Sequence, residues 1–124
     1  MPLRVLVVED DPLIRLGISA ILTDAGLEVV EAANAGQGIA SLEADSSIRL
    51  VLTDVDMPGS MDGLKLAHHV SRQWPPVRII VISGKVVPKP GELPPDARFL
   101  GKPYEEPTLL GMIGEMIGDA GRPF

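Results

Sequence analysis

Three unbroken apolar runs constrain this chain more than any other feature: Val5-Leu6-Val7-Val8, Leu50-Val51-Leu52 and Ile79-Ile80-Val81-Ile82. Each is too short for a helix and lacks the alternation of a half-exposed strand, so each suits a strand covered on both faces. Between the first two runs the period changes. Ile14, Ile18, Ile21, Leu22 and Ala25 fall on one helical stripe, opened by Asp11-Pro12 and closed by Gly26, the expected N-cap, N1 and C′ residues. Asp11 is therefore read as a cap rather than as a metal ligand. Glu28 to Ala32 predicts a second strand, and Ala35 to Ala44 a short helix with Ile39 and Leu42 inward. Asp62 can cap a third helix with the stripe Leu66, Ala67, Val70 and Trp74, which Pro75-Pro76 ends before a strand at Val77 to Ile82. A last strand is expected at Ala97 to Leu100. A last helix follows at Glu105 to Gly118, with Leu109, Met112, Ile113, Met116, Ile117 and Ala120 on its apolar stripe. Gly111, Gly114 and Gly118 lie on the opposite side and cost about 1 kcal/mol each relative to alanine, so this helix depends on docking.

Alternating strands and helices imply right-handed parallel crossovers, hence an α/β domain with helices on both faces of the sheet. One irregular segment interrupts the pattern. Lys85 to Asp96 carries prolines at 88, 90, 94 and 95, and an interior proline costs a helix about 3 kcal/mol, so a loop with at most one helical turn is expected. With no cysteine, disulfides, thiol nucleophiles and zinc–thiolate sites are excluded. The 17 acidic against 11 basic residues leave a net charge of −6, the wrong field for a phosphate backbone. No nucleic-acid partner is expected. The apolar start is broken by Glu9-Asp10-Asp11, which fits neither a secretory leader nor a membrane span. A cytoplasmic protein without a membrane partner is expected.

Open parallel α/β sheets bind ligands beyond the carboxyl ends of their strands. Four predicted strand ends carry polar residues there: Glu9-Asp10-Asp11, Asp54 with Asp56, Ser83-Gly84, and Lys102-Pro103. Carboxylates about 5 Å apart repel by roughly 3 kcal/mol per pair at an effective dielectric near 20, so the group implies a raised pKa or a bound cation. Oxygen-only ligands suit Mg²⁺, which keeps several waters and commonly shares its sphere with a phosphoryl oxygen.

The segments VLVVEDD at 5 to 11, VLTDVDMPG at 51 to 59, VISG at 81 to 84 and FLGKPY at 99 to 104 resemble the receiver domain of two-component response regulators over essentially the whole chain. The resemblance implies a flavodoxin-like, doubly wound, five-stranded parallel sheet and a single receiver domain at residues 1–124. It implies that Asp54 is the phosphoacceptor for a sensor histidine kinase or a histidine phosphotransfer protein. Asp10 would bind Mg²⁺ directly, Glu9 mainly through water, and the backbone carbonyl of Asp56 would add a ligand. Ser83 would meet the phosphoryl group, Lys102 would pair with one of its oxygens, Phe99 would be the aromatic switch, and Lys102-Pro103 would be cis. Spacing alone would favour trans.

The chain departs from the family pattern in two places. PGSMDG holds an extra residue, and the helix that the family places fourth, after Ser83, is short or absent, its place taken by the proline-rich segment. The usual aromatic coupling to an output face is thereby in question, and phosphorylation is expected to order or reposition Lys85 to Asp96, signalling to an unknown downstream protein. Leu13 and Leu16, with Ile14 at the stripe's border, are the candidate kinase contacts, joined by Pro103 and Tyr104; at least one of the leucines is expected to be buried. His68 and His69 are read as ordinary surface or boundary residues, and Trp74 and the methionine stripe as core. The start at Met1 suggests a free-standing receiver. Two other functions are weighed: a pseudo-receiver that binds without phosphorylation, and a haloacid-dehalogenase-like phosphatase, suggested by Asp54-Val55-Asp56 but expected on a first strand.

Overall fold

The computed structural model describes residues 3–55, 62–85, 87–89 and 91–118. Five parallel strands, β1 (Arg4–Val8), β2 (Glu28–Ala32), β3 (Ile48–Asp54), β4 (Arg78–Ser83) and β5 (Ala97–Gly101), form one sheet in the order β2-β1-β3-β4-β5. The order reverses at β1, so the crevice beside β1 and β3 is the ligand edge of such a sheet. Helices α1 (Pro12–Asp24) and α4 (Glu106–Gly118) lie on one face, and α2 (Ala35–Ala44) and α3 (Gly63–Gln73) on the other. Each continuous run serves both layers. Leu6 and Val8 pack toward α2 and α3, while Val5 and Val7 pack toward α1 and α4, which is why the runs show no polar alternation.

Caps set the helix starts as expected. Asp11 accepts from the Leu13 amide at 2.9 Å and the Ile14 amide at 3.3 Å, and Asp62 accepts from the Lys65 amide at 3.0 Å. The α1 stripe is narrower than its periodicity suggests. Ile18 and Leu22 are buried, but Ile14 is exposed, because the first turn of α1 overhangs the end of β1 and has no sheet beneath it. Leu13 and Leu16 are both exposed, at 79% and 60%, which corrects the expectation that one of them is buried: each points away from the stripe of Ile18 and Leu22 that faces the sheet. β3 is longer than its apolar run, since Ile48 is buried and pairs with Arg4. Trp74 packs half-buried against the core, with His69 edge-on to it at 5.8 Å. On α4, Leu109, Ile113, Met116 and Ile117 are buried and Met112 is partly so; Ala120 lies outside the described residues.

Between β4 and β5 the described residues form no helix. Glu92 donates its amide to the Lys89 carbonyl at 3.0 Å, closing a turn in which Gly91 takes φ +90°, a value that favours glycine. Leu93 then packs on the core beside Ala97 and Phe99. His68, on α3, meets the Glu92 carbonyl through Nε2 at 2.6 Å. It is a boundary residue, as expected, but one that ties the helix-replacing segment to α3.

Candidate functional site

Glu9 and Asp10 leave the end of β1, Asp54 ends β3, Ser83 ends β4 and Lys102 follows β5, so neighbouring strand ends converge on the crevice. Carboxylate oxygens of Glu9, Asp10 and Asp54 all lie within 4.8 Å of one another. Lys102 Nζ donates to Asp54 Oδ2 at 3.1 Å and stands 3.8 Å from Glu9 Oε1. Glu9 and Asp54 are buried, while Asp10 is exposed and opens the cluster to solvent. Ser83 is buried, and its Oγ accepts from the Lys85 amide at 3.2 Å. Phe99 is half-buried beside the core. The Lys102-Pro103 bond is cis. Asp56 and the PGSM stretch of the longer loop lie outside the described residues.

The raised pKa anticipated among these acids appears at Glu9. Burial raises its pKa from 4.5 to about 7, helped by the side chains of Asp10 and Asp54 and opposed by the Asp11 amide, which donates to Oε2 at 3.1 Å. Its other oxygen, Oε1, is buried and receives no hydrogen bond. A buried carboxylate oxygen without a donor, facing two further carboxylates, is the arrangement a hard cation satisfies. For Lys102, burial works against the charge, but the hydrogen bond to Asp54 and attraction to both acids outweigh it and raise the pKa. Burial also raises the pKa of Tyr104, which with Ile14, Lys102 and Pro103 lines an open groove of about 410 Å³ next to the acids.

One residue essential to this geometry gave no chemical signal in the sequence. Gly63, the first residue of α3, packs so closely that a Cβ there would stand 2.1 Å from the Asp54 carbonyl oxygen. Its amide donates to the Val55 carbonyl at 3.2 Å. The start of α3 thus seats directly against the backbone that carries Asp54. The Asp62-Gly63 pair reads in sequence only as a cap, and the close approach needs the fold.

Fold and site together define an open parallel α/β domain with acids, hydroxyl and ammonium gathered at one sheet edge. The profile of the response regulator receiver domain matches residues 5–113, and the chain belongs to that family. Curated relatives include the response regulator GacA of Pseudomonas aeruginosa, 37% identical over 82 residues, covering 65% of this chain and 38% of GacA. The sensor kinase CckA of Brucella abortus is 32% identical over 117 residues, covering 91% of this chain and 12% of the kinase. The chain therefore spans well under half the length of these relatives. Among solved structures, a CheY-like receiver domain protein from Methanospirillum hungatei superimposes with a TM-score of 0.86 at 29% identity, covering 96% of both chains. The receiver domain of the hybrid histidine kinase CckA does so with a TM-score of 0.77 at 30% identity, covering 92% of this chain and 98% of that one. The family is a signalling domain of response regulators and sensor kinases rather than a conventional enzyme. No helix among the described residues is long and apolar enough to cross a membrane.

Proposed function

We propose that residues 1–124 act as one phosphoacceptor receiver in the cytoplasm, in which Asp54 takes a phosphoryl group from a phosphohistidine of a sensor kinase or phosphotransfer protein. The observation that carries this reading is the buried Asp54 carboxylate held at 3.1 Å by Lys102 and flanked by Glu9 and Asp10. An Asp54 oxygen attacks phosphorus as the P–N bond of the donor breaks, and the imidazole leaves with its electron pair. Little covalent work is needed from the protein beyond positioning and charge compensation. Lys102 already rests on Asp54 and can shift its ammonium hydrogen bond onto a phosphoryl oxygen, and the Ser83 hydroxyl, at the adjacent strand end, can donate to another. Glu9, Asp10 and Asp54 would hold Mg²⁺, with the Asp56 carbonyl as a further ligand. When bound, that ion supplies compensation for the charge of the phosphoryl oxygens. Leu13, Ile14 and Leu16, exposed on the first turns of α1, with Ile14 lining a groove with Pro103 and Tyr104, offer an apolar rim on which the phosphodonor protein can dock.

Incubation with Mg²⁺ and a small acyl-phosphate donor tests the reading. Intact mass should rise by one phosphoryl group in the wild type and not in Asp54→Asn. Absence of adduct on the wild type would support a binding module without phosphorylation, and many turnovers of donor per protein would support a phosphatase.

A further inference from the structure

Glu9 and Asp10 stand where the β1 ladder ends, so the peptide joining them lacks a full set of strand partners. The Glu9 amide still donates to the Ala32 carbonyl at 3.0 Å. Its carbonyl is taken by a side chain. Arg15, the fourth residue of α1, reaches back and donates from Nη1 to the Glu9 carbonyl at 2.8 Å. The same guanidinium donates from Nε to Glu31 Oε1 at 3.0 Å. Glu31 lies in β2 at the register of Val7, and the Arg15 side chain is only 20% exposed. A rigid planar fork can hold two acceptors in one fixed geometry, which a lysine ammonium on a flexible stem does less well. The fork thereby pins the Glu9–Asp10 peptide between α1 and β2.

We propose that Arg15 is a positioning residue for the acidic site. By fixing the Glu9 carbonyl, it sets the peptide from which the Glu9 and Asp10 carboxylates project, and so strengthens their hold on Mg²⁺. The inference rests on reading that cluster as a Mg²⁺ site. Its sign separates it from simple electrostatics. Deleting a positive charge beside a cation site should tighten cation binding, whereas loss of an outer partner that orients the ligands should weaken it by about tenfold or more.

The test is a calorimetric titration of Mg²⁺ into the full chain at fixed ionic strength, with amide chemical shifts of Asp10 and Asp54 followed in parallel and thermal unfolding recorded without Mg²⁺. Arg15→Ala should raise the Mg²⁺ Kd about tenfold. Arg15→Lys, which keeps the charge but not the fork, should raise it by a smaller factor. A Kd that is unchanged or lower in Arg15→Ala, even with a lowered Tm, would overturn the proposal and leave Arg15 as an ordinary structural ion pair. Should Arg15→Ala fail to fold, Arg15→Lys decides the matter alone: weaker binding supports the role and unchanged binding overturns it. A wild type that takes up no Mg²⁺ would overturn the reading of the cluster itself, and this inference with it.

Discussion

The β1–α1 corner and the β4–β5 connection stand at the same edge of one sheet and are held in opposite ways. At the corner, short-range bonds tie the backbone closely: Asp11 caps α1, the Asp11 amide meets Glu9 Oε2, the Glu9 amide meets Ala32, and Arg15 takes the Glu9 carbonyl. Among the described residues, the β4–β5 connection is held at separated points. Ser83 Oγ accepts from Lys85, a turn closes at Glu92, His68 meets the Glu92 carbonyl, and Leu93 docks on the core, while Val87 is 77% exposed. A site that, as proposed, presents fixed carboxylates and then reports on their modification would need both kinds of construction. On the proposed function, the corner would supply preorganisation and the connection the segment that responds.

The comparison breaks most severely at the shared foundation. Gly63→Ala drives a methyl into the Asp54 carbonyl, so unfolding in urea should show a loss of about 3 kcal/mol, together with failure to take up phosphoryl groups. Unchanged stability would mean that α3 is not seated against Asp54 as described.

A smaller effect, on the order of 2 kcal/mol, is expected from Glu9. Its folded pKa of about 7 lies above the ordinary 4.5, so between these values the folded chain holds more proton than the unfolded one. The associated stability is fully present below pH 4.5 and is lost as pH rises through 7. Metal-free protein should therefore unfold more readily at pH 8 than at pH 5.5. Glu9→Gln should flatten that slope and stabilise the metal-free protein at pH 8, and Mg²⁺ should offset the loss in the wild type alone. A wild-type stability that rises from pH 5.5 to 8 with the same slope as Glu9→Gln would contradict the burial argument.

The connection itself is probed more gently. His68→Ala removes one hydrogen bond, a net contribution of about 1 kcal/mol. Amide exchange in residues 91–96 should quicken several-fold, with little change at Glu9 to Arg15. A phosphoryl mimic at Asp54 should alter exchange in residues 85–96 more than at the corner, and equal or absent changes there would reject the connection as the responsive element. The smallest effect lies at the opposite edge. Asp45, held by Ser47 and Arg4, has its pKa lowered from 3.8 to about 2. Its contribution is present above 3.8 and lost as pH falls through 2, so its carboxyl resonance should titrate near that value without disturbing the site.

Much of this was legible in the residues themselves. The unbroken runs placed β1, β3 and β4 and required cover on both faces; Asp11-Pro12 and Asp62 marked helix starts; and four prolines within 85–96 removed a helix. The acids could be assigned to one edge because parallel strands all point their carboxyl ends the same way. Periodicity reports how much of a residue is covered, but not by what. Ile14 therefore fell on the apolar stripe as well as at the candidate contact rim, since the stripe does not say where the sheet beneath it stops, and the expectation that Leu13 or Leu16 lies inside failed because both point off that stripe. Local rules such as capping and strand composition act within a few residues and survive in the sequence. The seating of Gly63 on Asp54, the His68 tie to Glu92 and the Arg15 bridge between Glu9 and Glu31 join elements distant in the chain or depend on a backbone that only packing brings near. The Gly63 and Arg15 contacts lie at the carboxylates and the His68 contact at the β4–β5 connection, and all of them exist only once the layers have closed around the sheet.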